Sequence, residues 1–217
     1  MTWTIDAIVW DFDGVVVDTS RDIANAGNFA LRTLGMPELP VDVLASYIGG
    51  GAEPLVRKML GERADELFAQ ALPLLINRYK EYPFQDTTLY PGMREVLERY
   101  ARAGKRMGIA TNKLQPITLA VLEGLEIKEY FEALIGPEDV QHRKPHPEAV
   151  LKILEAIQTP AERAVMIGDT AADIGAGKAA GTLTVGVTYG YGKPEEVAGA
   201  EPDLLIDSAG DLLNHIL

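Results

Sequence analysis

The sequence predicts an α/β protein: a doubly wound parallel sheet with helices on both faces and an all-helical segment inserted after the first strand. Three observations carry this prediction. From Pro91 onward, short apolar runs alternate with stretches of helical period, the pattern that builds parallel sheets. Between residues 19 and 82 helix-like segments follow one another with no convincing strand among them. Four strand candidates run out into, or soon reach, polar residues capable of chemistry, as expected where ligands bind beyond the carboxyl ends of the strands.

The first strand is Ile5 to Trp10, a near-continuous apolar run of the kind buried on both faces. After Asp18-Thr19-Ser20 the period changes: Ile23, Ala26, Ala30 and Leu34 recur at helical spacing, and Gly35 with Pro37 stops the helix. Val41 to Ile48, Pro54 to Leu60 and Asp65 to Tyr79 continue as helices. The inserted block therefore reads as a small domain over residues 18–83, and residues 1–17 with 84–217 form the α/β core. In the core, helix Met93 to Ala103 ends at Gly104 and strand Arg106 to Ala110 follows. Helix 115–123, strand Ala133 to Ile135 and helix Pro147 to Ile157 come next. Strand Ala164 to Ile167, helix Ala171 to Ala180 and strand Thr184 to Val187 complete the pattern.

Composition narrows the function. The chain has 217 residues and no cysteine, which excludes disulfides, thiolate metal sites and a cysteine nucleophile. The N-terminal segment carries neither a basic stretch nor a long apolar one, and the longest uncharged run, Ala179 to Gly192, is too short and glycine-rich to span a bilayer. A soluble cytoplasmic protein is expected, as a monomer or homodimer. The net charge of −12, with no cluster of lysine and arginine, argues against nucleic-acid and anionic-membrane partners. A small anionic substrate would be repelled at long range, so a site for one must carry a metal and a few placed basic residues.

Such a site is legible at the strand ends. Asp11 and Asp13, in Trp10-Asp11-Phe12-Asp13-Gly14, set two carboxylates side by side where a buried strand ends. Burying both would be costly without a cation, and Mg²⁺ favours hard oxygen ligands of this kind. Taken alone the motif is equally an acidic turn. Asp169 and Asp173, in Gly168-Asp169-Thr170-Ala171-Ala172-Asp173, bracket a helix start and by themselves would serve as a cap and a first-turn acid. Four carboxylates converging on one sheet edge, however, call for a divalent ion. Thr111 and Asn112 end another strand, where hydroxyl, amide and helix N-terminal N–H groups can cradle a phosphate. Lys144, before Pro145, can balance the carboxylates and hold a phosphate oxygen. His142 and His146 read as structural residues.

Asp11-Phe12-Asp13-Gly14, Ala110-Thr111-Asn112-Lys113, Lys144-Pro145 and Gly168-Asp169-x-x-x-Asp173 resemble, in order and spacing, the four motifs of the haloacid dehalogenase-like hydrolase superfamily. The helical insert resembles that superfamily's type 1 cap over a Rossmann-like core. The resemblance implies a Mg²⁺-dependent phosphatase. Asp11 would form an aspartyl-phosphate, and Asp13 would protonate the leaving alkoxide and then activate water. Thr111 and Lys144 would hold the transferring group, with Asn112 in the same loop. The metal would be held by Asp11, the backbone carbonyl of Asp13 and Asp169, with Asp173 as a further ligand or as a partner that orients the ligands.

Within the superfamily, Tyr47-Ile48-Gly49-Gly50-Gly51-Ala52-Glu53, Leu89-Tyr90-Pro91-Gly92 and Gly186-Val187-Thr188-Tyr189-Gly190-Tyr191-Gly192 resemble the phosphoglycolate phosphatases. That points to 2-phosphoglycolate as substrate, with Gly49, Gly50, Gly51 and Arg57 as its contacts in the cap. Thr170 and Ala149 depart from the pattern without touching the chemistry. Asp at position 13 argues against a dehalogenase, and the lack of lysine over residues 19–35 argues against a phosphonoacetaldehyde hydrolase. A β-phosphoglucomutase-like mutase and a pyrophosphatase stay open as alternatives. A non-catalytic metal-dependent binding module is the alternative from another class.

Overall fold

A computed structural model describes residues 2–216. Its centre is a six-stranded sheet in the order β5-β4-β1-β6-β7-β8. The strands are β1 (Ala7–Trp10), β4 (Arg106–Ala110), β5 (Ala133–Ile135), β6 (Ala164–Gly168), β7 (Leu183–Val187) and β8 (Leu204–Ile206). Every pairing between them is parallel. Successive side chains point to opposite faces, so β1 divides between two cores. Ile8 and Trp10 join the cluster built with Met93, Val96 and Leu97 of α5 (Met93–Arg102) and Val121 and Leu122 of α6 (Gln115–Gly124). Ala7 and Val9 join Val150 and Ile153 of α7 (Glu148–Ala156) and Ala176 of α8 (Ala171–Ala180). Both faces are thereby covered, as the continuous apolar runs require.

The strand order fixes where a ligand can bind. The chain leaves β1 for β4 and β5 on one side, then crosses to β6 and continues through β7 and β8 on the other. The crevice at the carboxyl ends of β1 and β6 is the topological switch point of the sheet. Asp11 and Asp169 stand at those two ends.

Between β2 (Val17–Asp18) and β3 (Thr88–Leu89) lie α1 (Ser20–Thr33), α2 (Val41–Ala45), α3 (Ala52–Leu60) and α4 (Ala64–Glu81). These helices pack around a hydrophobic cluster that includes Leu31, Leu44, Val56, Met59, Ala71 and Leu75, and Ile117 of α6 joins it from the core. β2 and β3 pair antiparallel where the chain enters and leaves this helical segment. Two-residue strands carry no readable period, so neither was foreseen. Beside them the buried carboxylate of Asp22 accepts the N–H groups of Gln85, Asp86 and Thr87 and the Thr87 hydroxyl, the last at 2.7 Å. Asp22→Ala leaves these donors without their acceptor and should lower stability by about 3 kcal/mol, read as a lower urea midpoint. An unchanged midpoint would remove this clasp from the account.

Two sequence expectations are corrected. The first strand begins at Ala7 rather than Ile5. The helix expected over Val41 to Ile48 ends at Ala45, because the N–H groups of Tyr47 and Ile48 bond to carbonyls three residues back and tighten the chain toward Gly49. β8, α9 (Pro194–Gly199) and α10 (Leu212–His215) were not foreseen and are all short.

Candidate active site

The chain turns sharply after β1. The carbonyl of Phe12 accepts the N–H groups of Val15, Val16 and Val17, and Gly14 adopts φ +89°. A Cβ at Gly14 would stand 2.2 Å from Asp169 Oδ2, so only glycine lets this loop pass against the second acidic strand end.

Asp11 and Asp13 face different partners. Lys144 Nζ donates to Asp11 Oδ1 at 2.7 Å and to the Ala110 carbonyl at 2.8 Å, and pairs with Asp173 Oδ1 at 2.6 Å. Burial alone would lower the Lys144 pKa, but Asp11 and Asp173 outweigh it and hold the ammonium charged. Asp13 Oδ1 accepts the Thr19 hydroxyl at 2.7 Å and Lys113 Nζ at 2.9 Å. Lys113 also donates to Tyr79 OH of α4 at 2.5 Å, joining the helical segment to the acid. Burial lowers the Lys113 pKa, against the pull of Asp13.

The carboxylates of Asp11, Asp169 and Asp173 converge, with one oxygen from each inside a 4.8 Å span. Thr170 caps α8 through a capping box with Asp173, so Asp169 is not the helix cap. Asp169 Oδ2 accepts the N–H groups of Tyr191 (2.7 Å) and Gly192 (3.3 Å). Its Oδ1 is buried without a hydrogen-bond partner among the described residues. Desolvation, followed by the charge of Asp173, pushes the Asp169 pKa up to about 7, and burial raises Asp11 well above the usual carboxylate range. Three buried carboxylates against one ammonium, one of them with an orphaned oxygen, fit a divalent cation. The Asp13 carboxylate lies outside this trio; of Asp13, the backbone carbonyl is left as the expected metal contact.

These shifts set a pH dependence. In the metal-free protein Asp169 binds a proton up to about pH 7 when folded, but only to its ordinary value of 3.8 when unfolded. The folded state therefore holds more protons through that window, and stability falls as pH rises from about 4 to 7. The thermal midpoint of the EDTA-treated protein should drop across this range more steeply than that of Asp169→Asn. Equal slopes would show that Asp169 titrates normally.

Beside Asp11 and Asp13 opens a cavity of about 120 Å³. Thr111, Asn112, Gly49 and Gly51 line it, together with apolar side chains of α4 and α6. Asn112, the candidate for a phosphate cradle, lines the cavity while its amide donates to the Gly49 carbonyl at 2.8 Å. Arg143 Nη1 donates to the Gly50 carbonyl at 3.3 Å. Gly51 adopts φ +88°, and a Cβ there would meet both the Asn112 carbonyl and Arg143 at 3.0 Å. The triple glycine thus docks against the core loops.

Arg57 is not brought to the cavity. Its guanidinium stacks on Phe68 at 4.3 Å and faces Asp65 at 3.9 Å, because Leu55, Val56, Met59 and Leu60 occupy the inward side of α3. Thr19, Tyr79, Lys113 and Arg143 stand around the site as well; Lys113 and Arg143 flank the motif residues Asn112 and Lys144 in the chain, whereas Thr19 and Tyr79 carry no such local signal. His142 and His146 lie exposed near Glu148, whose carboxylate already accepts the N–H groups of Gln141 and His142.

An acid pair at a strand end, a lysine on one acid, a threonine-bearing loop and three converging carboxylates at the switch point form a site suited to phosphoryl transfer. A family model described as haloacid dehalogenase-like hydrolase matches residues 8–187, and the chain belongs to that family. It is similar to a phosphoglycolate phosphatase of Nitrosospira multiformis, 34% identical over 94% of this chain and 92% of the relative. The phosphoglycolate phosphatase of Vibrio cholerae is 35% identical over 99% of this chain and 98% of its own length. Among solved structures, one from Haemophilus somnus described as a predicted phosphoglycolate phosphatase superposes with a TM-score of 0.90 at 26% identity, over 97% of both chains. Among the described residues no helix is long and apolar enough to cross a membrane.

Proposed function

We propose that the chain is a Mg²⁺-dependent phosphatase that works through a phosphoryl group carried on Asp11, with 2-phosphoglycolate as a substrate. The observation that carries this reading is the division of the two neighbouring carboxylates: Asp11 sits with Lys144 among the cradle acids, and Asp13 is held apart by Thr19 and Lys113. Such a split suits one nucleophile and one proton carrier.

In the first step an Asp11 oxygen bonds to phosphorus, the ester P–O bond breaks, and Asp13 delivers a proton to the departing alkoxide. In the second, Asp13 takes a proton from water as that water attacks phosphorus, and the Asp11 carboxylate is released. Lys144 and the Thr111 hydroxyl hold the non-bridging oxygens. Asp11, Asp169, Asp173 and the Asp13 carbonyl would hold Mg²⁺, which when bound neutralises charge on the phosphoryl oxygens.

Residues 18–83 act as a cap, hinged at β2 and β3, whose triple-glycine loop closes on Asn112 and Arg143 to exclude water. The absence of cysteine suits a reducing cytoplasm. The similarity to phosphoglycolate phosphatases supports the substrate. The test is initial-rate phosphate release from 2-phosphoglycolate, pyrophosphate and β-glucose 1-phosphate, with Mg²⁺ or with chelator. Metal-dependent release led by 2-phosphoglycolate is expected. Sugar-phosphate isomerisation without net release would overturn the reading.

A further inference from the structure

Resting on the phosphatase reading above, we infer that the cavity over Asp11 and Asp13 is a leaving-group chamber for apolar alcohols, so that the enzyme hydrolyses alkyl phosphomonoesters in addition to compact acidic ones. Its position comes first. Asp11 and Asp13 both line the cavity, whereas the cradle acids Asp169 and Asp173 do not. The space therefore extends on the side of the proton donor, where the ester's alcohol departs, and away from the cation cradle.

The lining gives the chemistry. Ile48, Leu72, Leu75 and Ile76 from the helical segment meet Leu114 and Ile117 from the core across it. Of the two cations on its wall, Lys113 is paired with Asp13 and Tyr79, and Arg143 donates one N–H to the Gly50 carbonyl at 3.3 Å. Glu53 adds negative charge on the wall. A compact carboxylate on the leaving group has Arg143 on the wall as its cationic partner, and the apolar remainder of the space is left for a chain. An aliphatic chain there would remove its own apolar surface and that of the wall from water.

The bonds made and broken are those of the first step: Asp11 bonds to phosphorus, the P–O bond to the alkyl oxygen breaks, and the Asp13 proton makes the free alcohol. Straight-chain alkyl phosphates differ little in leaving-group basicity, so chain length isolates binding in the chamber. Across ethyl, propyl, butyl and hexyl phosphate, kcat/KM should rise about threefold to fourfold per methylene until the space is filled. In Ile76→Phe, which narrows the chamber, the ratio of the hexyl to the ethyl rate should fall about tenfold or more. That ratio does not depend on how much of the preparation has folded. A flat or falling series in the wild type, with 2-phosphoglycolate still hydrolysed, overturns the chamber and leaves the phosphatase reading standing. An unchanged ratio in Ile76→Phe also overturns it. Hydrolysis of no ester at all overturns the underlying reading.

Discussion

Asp11→Asn should reduce phosphate release by about 10⁴-fold or more while leaving the fold intact. The amide is nearly the same size, so the packing at the end of β1 is kept. It cannot attack phosphorus as a carboxylate does, and neither Asp13, held by Thr19 and Lys113, nor Asp173, held by Lys144 and the α8 cap, is free to take over the position. Metal-free stability should change little, or rise, because burial already disfavours the Asp11 charge and Lys144 retains Asp173. Circular dichroism and a thermal melt check the fold, and a phosphate-release assay checks the chemistry. Activity within tenfold of wild type would remove Asp11 as the nucleophile.

Lys144→Met should have the largest effect on stability. The ammonium is the cation that pairs with both Asp11 and Asp173, at 2.7 and 2.6 Å, with side chains 8% and 2% exposed. Methionine fills the volume but leaves two buried carboxylates facing each other. Removing one partner of a buried ion pair costs about 3–5 kcal/mol. Without the ammonium Asp11 takes up a proton more readily still, so the deficit should be greatest near pH 8 and shrink toward pH 5. Added Mg²⁺ should recover part of the stability but not the lost rate, since no side chain then replaces the ammonium at the phosphoryl oxygens. A deficit independent of pH would show that packing, not charge, is what Lys144 supplies.

The parts legible in the sequence are those encoded locally. The run Ile5 to Trp10, a strand from Ala7, reads as buried because both faces of the sheet are covered, and its end is marked by Asp11 and Asp13 entering where the apolar run stops. The same holds for Ala110 before Thr111 and for Gly168 before Asp169. What depends on loops meeting in space was not legible. Arg143 reaches Gly50, 93 positions away, and Lys113 reaches Tyr79 across the boundary between core and helical segment. Arg57 turns away from the cavity for a related reason. Charge beside a glycine loop suggests an anion contact, but the helical period of α3 turns that side chain outward. Asn112 belongs to both groups: its position at a strand end was readable, but its bond to Gly49 depends on where the helical segment docks.

On the proposed route the phosphoryl group rests on Asp11 between the two steps. The direct test is to quench the enzyme during turnover of 2-phosphoglycolate with Mg²⁺ and reduce it with borohydride, which converts an acyl phosphate on aspartate to homoserine. Peptide mass spectrometry then locates the product. Homoserine at position 11, absent without substrate, is the predicted result. Homoserine at position 13, or at neither position while phosphate is being released, would contradict the account.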